Sequence, residues 1–200
     1  MMQPMDPRRA ESADLPAVAA TLAGAFQDDP AWSWVFTDPG TRLEQLQAVW
    51  TLLLEGSVAY GWIWMTPGAE AATLWIPPGL PELAEPQAAR IGPLFDELLD
   101  GDIVRVNALM ERFMTAHPPS PDHFYLSLFG TRPDCRGRGI GMGLLADNLA
   151  RIDHQARPAY LESTNPVNLA RYRSVGFVDH GGFDLPYDGP VVTTMWRDAR

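Results

Sequence analysis

Between Arg132 and Leu145 the sequence reads RPDCRGRGIGMGLL, with glycines at 137, 139, 141 and 143 directly ahead of an apolar run. Glycine loses more backbone freedom on folding than any other residue, so such a cluster needs a reason. HFYLSLFGT (123–131) before it alternates like a strand, and GIGMGLLADNLARIDHQA (139–156) has helical periodicity, with Ile140, Leu144, Leu145, Leu149 and Ile152 on one face. Strand, glycine turn, helix is a geometry that binds phosphate. The first turn of a helix has free N–H groups and about half a positive charge, and glycine lets the backbone approach an anion with no Cβ in the way. The dinucleotide pattern G-x-G-x-x-G does not fit, because the sixth position counted from Gly137 or Gly139 is Met142 or Leu144. The phosphate loop that ends in lysine does not fit either, because the chain has no lysine. What remains is Arg136-x-x-Gly139-x-Gly141, preceded by Thr131-Arg132-Pro133.

The composition narrows the chemistry further. All 15 basic residues are arginine, and the net charge is −10. Without lysine there is no Schiff base with a carbonyl cofactor and no kinase-type strand lysine. An acidic chain is a poor nucleic-acid binder and suits a cationic partner. The single cysteine, Cys135, excludes an internal disulfide. The four histidines, His117, His123, His154 and His180, show no paired ligand spacing, so no metal is expected and each reads as a surface or internally satisfied side chain. No apolar run approaches the roughly 18 residues of a membrane span. MMQPMDPRRAES lacks the apolar core of a signal peptide, so a cytoplasmic protein without a membrane partner is expected.

The elements that must position the glycine cluster follow from periodicity and breakers. Ala13 to Phe26 reads as a first helix, Gln27 to Gly40 as a turn-rich loop carrying aromatics, and Thr41 to Gly61 as a second helix ending near a glycine. Trp62 to Thr66 and Ala71 to Ile76 read as a strand pair. A helical region of about 82–118 comes next, in which Ile103, Val106, Met110, Phe113 and Met114 recur at helical spacing, either as core or as a lid over a ligand. The motif unit spans about 123–155. PAYLEST, NPVNLARYRSV, GFVDHGGFDL and PVVTTMW then give strand, short helix and two strands. The 200 residues fit one domain, 1–200, of α/β class with a mixed sheet. Strand edges near the C-terminus leave a homodimer open.

Arg136-x-x-Gly139-x-Gly141 resembles motif A of the GNAT superfamily of N-acetyltransferases, [Q/R]-x-x-G-x-[G/A]. Asn165, Tyr172 and Gly176-Phe177 repeat that family's N…Y-x-x-x-G-F run. LAGAFQDDPAWSW, FYLSLFGTRPDCRGRGIG, PAYLEST and RYRSVGF are similar to the puromycin N-acetyltransferase group, strongly around motif A and Tyr172 and loosely between Leu80 and Pro121. Thr131 departs from a frequent valine, and Arg138 from a frequent lysine. The resemblance implies a GNAT-like, mostly antiparallel central sheet flanked by helices, with a helical insertion before the cofactor-binding strand.

It also implies acetyl-coenzyme A as acyl donor, its pyrophosphate held by Arg136, Gly137, Arg138, Gly139, Ile140 and Gly141. Phe129, Gly130 and Thr131 would pair with the pantetheine arm, and Asn165 and Tyr172 would complete the donor site. Direct transfer to a small-molecule amine needs a base and an acid, each proton transfer being worth roughly 10²–10⁴-fold. Tyr172 is the implied acid at sulfur, and Glu162, closing its strand, is the leading base. Asp28 and Asp29, in the loop that shapes the acceptor pocket in that family, are the next candidates for the base and could instead cap a helix or be solvated. Trp32 and Trp34 could wall a ring-bearing amine, and Cys135 is not expected to carry an acyl group. A coenzyme-binding sensor without turnover and a protein N-acetyltransferase remain open alternatives.

Overall fold

A computed structural model gives the fold, and the residues it describes are 6–200. The N-terminal stretch weighed as a signal peptide begins at residues 1–5, outside the described residues. In chain order the elements are β1 (Arg8–Arg9), α1 (Leu15–Phe26), α2 (Pro30–Val35), α3 (Arg42–Ser57), β2 (Ile63–Met65), β3 (Ala71–Ile76), α4 (Glu85–Leu98), α5 (Val104–Ala116), β4 (Phe124–Thr131), α6 (Ile140–Asp153), β5 (Ala159–Ser163), α7 (Leu169–Ser174), β6 (Val178–Asp184) and β7 (Val191–Arg197). Among the described residues one sheet takes seven strands in the order β1-β2-β3-β4-β5-β7-β6. Every neighbouring pair is antiparallel except β4 and β5. The mixed, mostly antiparallel sheet flanked by helices is thus the architecture observed.

Each face of the sheet has its own core. Leu22, Leu46, Trp50, Leu54 and Leu74 belong to the face covered by α1 and α3. Trp75, Phe124, Leu144, Leu145 and Ile152 belong to the face covered by α6. Burying each such side chain is worth about 1.5–3 kcal/mol. Asn148 of α6 is fully buried between them, its Oδ1 accepting from Thr73 Oγ1 at 2.6 Å and Trp75 Nε1 at 3.0 Å. These two bonds lock α6 to β3 and so fix where its N-terminus points.

Two details of β4 shape the interior beside it. Its register against β3 slips between Leu74 and Trp75, whose partners are Leu128 and Leu126. Ser127 is the extra residue of this bulge, so Leu126 stays with the α6 core while Leu128 joins the α1–α3 core. Furthermore, β4 pairs with β5 at only two positions, Phe124 with Ala159 and Tyr125 with Tyr160. Beyond them the strands part, leaving the β5-facing edge of β4 open as far as Thr131.

Sequence and structure differ in three places. The loop expected over Gln27–Gly40 contains α2, because Asp29 accepts from the N–H groups of Ala31 and Trp32 and Pro30 fits the first helical position. The strand β1 was not foreseen, being two arginines paired with Met65 and Trp64. The Met and aromatic stripe divides: Val106 is buried, Met110 and Phe113 pack inward, and Met114 is 73% exposed.

Candidate functional site

The open fork between β4 and β5 leads into two adjoining cavities. The first, about 460 Å³, is a groove along the glycine turn. Gly137 and Gly139 both have φ near +76°, with open space where a Cβ would stand, so they are glycine for conformation. Gly141 is glycine for contact: a Cβ there would strike Thr131 Oγ1 and come within 3.2 Å of the Phe129 ring. Gly139 is the N-cap of α6 and no side chain caps the helix, so first-turn N–H groups stay free toward the groove. Such an arrangement can receive an anion. Phe129, Gly130, Thr131, Arg136, Ile140, Asn165 and Tyr172 also line it. Arg136 is tethered by its Nη2, which donates to the Ala25 carbonyl at 3.0 Å.

Arg138 is the exception among the expected donor residues. It is not among the groove-lining residues, and its guanidinium turns back toward Cys135 Sγ at 3.9 Å. Cys135 is buried and free. Asn168 and Arg171 line the groove without having been anticipated, Arg171 being held by Asn168 Oδ1 at 2.5 Å. Their spacing of one turn on the Tyr172 helix is the signal that could have found them.

The second cavity, about 140 Å³, lies under α4 and α5. Asp29, Phe129, Asn165 and Tyr172 line both spaces, so the two open into one another. Tyr172 is buried beside the Phe129 and Phe177 rings. Burial, and next the nearby Asp29 charge, push its hydroxyl pKa well above the ordinary tyrosine value, so it keeps its proton. Glu162 projects from β5 into the second cavity with its side chain 2% exposed, and its Oε1 has no hydrogen-bond partner. Burial pushes this carboxyl up to about 8, with Tyr125 and Tyr160 opposing the rise in part and the Glu82 charge adding to it.

The acceptor-loop residues separate. Trp32 lines the second cavity, edge-on to Trp50 at 4.6 Å. Trp34 does not: it lies under the Arg105 guanidinium, 5.6 Å from its ring centre, and donates to the Tyr187 carbonyl. Trp32 and Trp34 stand two positions apart on α2, with Ser33 between them, which sends the two rings to different faces of the helix. Asp28 lines only the groove. Asp29 is a buried strut, capping α2 and accepting from Thr164 Oγ1 at 2.7 Å, although burial raises its pKa.

Two histidines that looked unpaired in sequence are paired in space. His123 Nδ1 lies 2.8 Å from the Pro121 carbonyl, which only accepts, so that nitrogen carries hydrogen. With the ring neutral, His123 Nε2 accepts from His117 Nε2 at 3.1 Å. His117 Nδ1 then presents a lone pair 3.9 Å from Glu162 Oε1. Burial, and then the neighbouring His123, lower the His117 pKa to about 4. Glu82, Tyr125 and Ser127 line the second cavity and escaped the sequence reading. Tyr125 and Ser127 were accessible through the period-two alternation of β4; Glu82 had only a loop around it.

No family model matches the sequence. Solved structures do resemble this one along nearly the whole chain. The Corynebacterium glutamicum histone acetyltransferase HPA2 and related acetyltransferase is 24% identical, with 98% of this chain and 97% of that chain covered and a TM-score of 0.70. The Drosophila melanogaster polyamine N-acetyltransferase is 14% identical, with coverages of 97% and 99% and a TM-score of 0.65. Arylalkylamine N-acetyltransferase 2 from Aedes aegypti is 12% identical, with coverages of 99% and 100% and a TM-score of 0.64. The chain therefore has the GNAT acetyltransferase fold. Among the described residues no group of side chains could hold a metal ion, and no helix is long and apolar enough to cross a membrane.

Proposed function

We propose that this chain is an N-acetyltransferase that moves an acetyl group from acetyl-coenzyme A to the primary amine of a small molecule. One observation carries the reading: a groove with free helix N–H groups adjoins, beside Tyr172, a cavity holding a buried carboxylate with an unpartnered oxygen. The structural neighbours add support, since they include enzymes named for polyamine, arylalkylamine and agmatine acetylation. The stretches similar to the puromycin N-acetyltransferase group favour the same donor, while the acceptor is better read from the cavity.

Acetyl-coenzyme A supplies an acyl group activated as a thioester. The turn Arg136–Gly141 would hold its pyrophosphate through backbone N–H groups, with Arg136 adding charge. The open edge of β4 over Phe129–Thr131 would pair with the amide-bearing arm, and an N–H there would polarise the thioester carbonyl. An amine attacks only when neutral. Glu162 takes its proton, and His117, with its side chain 37% exposed, gives that proton a way out to solvent. The Tyr172 hydroxyl protonates the departing sulfur.

Thermal unfolding with acetyl-coenzyme A tests the donor site. At 100 times its dissociation constant the donor adds about 2.7 kcal/mol of apparent stability. Stabilisation is expected for the parent and for Tyr172→Phe, and not for Gly139→Glu. Thiol release with an amine panel should then fall by about 10² or more in Tyr172→Phe. A parent that binds the donor but acetylates no amine would be a sensor. Loss of stabilisation in all three folded proteins would leave the glycines as a tight turn only.

A further inference from the structure

The second cavity holds a carboxylate that the proposed reaction does not use. Glu82 lies just before α4, in the loop that links β3 to the helical pair. Its backbone carbonyl accepts from Ser57 Oγ at 3.1 Å, and its carboxylate accepts from the Ser127 hydroxyl at the β4 bulge. Ser127 shares the cavity wall with Tyr125, and its hydroxyl aims Glu82.

The cavity is two-sided. Glu82, Ser127, Tyr125 and Glu162 gather on the sheet side, and the Tyr125 hydroxyl lies close enough to feel the charge of both carboxylates. The helix side is apolar, built from Trp32, Trp50, Phe95, Met110 and Phe113 among others. Among the described residues no arginine or histidine lines the space. Burial raises the Glu82 pKa, with the Ser127 hydrogen bond opposing the rise, so without a basic partner this carboxyl either keeps its proton or gives it up to take a cation from elsewhere. The size is also informative. A cavity of about 140 Å³ matches one apolar ring, since a cavity of about 150 Å³ lined by Leu, Ile and Phe takes up benzene.

Resting on the transferase reading, we propose that Glu82 selects the acceptor, and that the acceptor is a compact monoamine: one ammonium on an uncharged, ring-sized apolar body. Glu82 retains the ammonium while Glu162 removes its proton, so both carboxylates serve one nitrogen. A second ammonium would lie against the aromatic wall. A carboxylate on the acceptor, as in an amino acid, would face Glu82 and Glu162 with no arginine to receive it. Glu82 touches the acceptor without taking part in bond making, so it is a specificity residue.

The test is steady-state acetylation of phenethylamine, putrescine and L-phenylalanine by the parent, Glu82→Gln and Ser127→Ala. In the parent, kcat/KM for phenethylamine should exceed the other two by about tenfold or more, as expected where a charge is misplaced in a dry site. Glu82→Gln should raise the phenethylamine KM by about tenfold or more and leave kcat within about threefold, with the acetyl-coenzyme A KM unchanged. Ser127→Ala should move the same KM in the same direction by less. Equal or better use of putrescine or L-phenylalanine overturns the proposal and leaves the transferase reading standing. So does a Glu82→Gln protein with a lower melting temperature and an unaltered amine KM, for Glu82 would then be a strut. If Glu82→Gln does not fold, the parent panel and Ser127→Ala decide. Donor binding with none of the three amines acetylated removes the transferase reading and this proposal together.

Discussion

Glu162 ties chemistry to pH. Burial gives the carboxyl a folded-state pKa of about 8 against an ordinary value of 4.5. Between those values the folded chain keeps a proton that the unfolded chain releases. The Glu162 contribution therefore makes stability fall as pH rises from about 4.5 to about 8, by at most about 1.4 kcal/mol per pH unit. Glu162→Gln should flatten that slope in urea unfolding. Activity should show the reverse sign, because only the ionised carboxylate accepts a proton. We expect kcat/KM to climb up to about pH 8 in the parent. Glu162→Gln should lower it by about 10²–10⁴ and abolish the inflection.

Among the elements, α6 carries the glycine turn, and Asn148 holds α6. Asn148→Ala would leave the Thr73 hydroxyl and the Trp75 N–H buried without an acceptor, at a cost of at least about 2 kcal/mol. Chemical unfolding should register the loss, and donor binding should weaken with it because the helix start shifts. How much of this was legible depends on where the information sits. Gly137, Gly139 and Gly141 could be read because conformation and close contact over five residues are local properties. The helix face of α6 could be read for the same reason. The α2 helix is carried by the pair Asp29-Pro30, a cap and a first-turn residue, but six helical residues are too few to show a period. Glu82 could not be read, because its partner Ser127 lies 45 residues further along the chain and only the folded sheet brings the two together. The nearness of His117 to Glu162 was hidden likewise: one caps the end of α5 and the other lies in β5.

Over the whole molecule, charge becomes a rate effect. A net charge of −10 with no lysine favours the approach of cations over anions at low salt, and would repel an anionic donor until it reaches Arg136 and Arg171 of the groove. Raising salt from 0.01 to 0.1 M shortens the screening length from about 30 to about 10 Å. Over that range kcat/KM for the amine should fall by about threefold or more, and the KM for acetyl-coenzyme A should fall as its repulsion is screened. Opposite salt responses of the two substrates, measured in one series, check this. The sheet has its own large-scale property. Two rungs, Phe124 to Ala159 and Tyr125 to Tyr160, are all that stitch its four-strand half to its three-strand half. A molecule with amide groups along its length, lying in that fork, would be worn by the protein as an eighth strand. A donor bound in that way would be mortar as well as reactant, and its departure would leave the seam unfilled and the two halves freer to breathe.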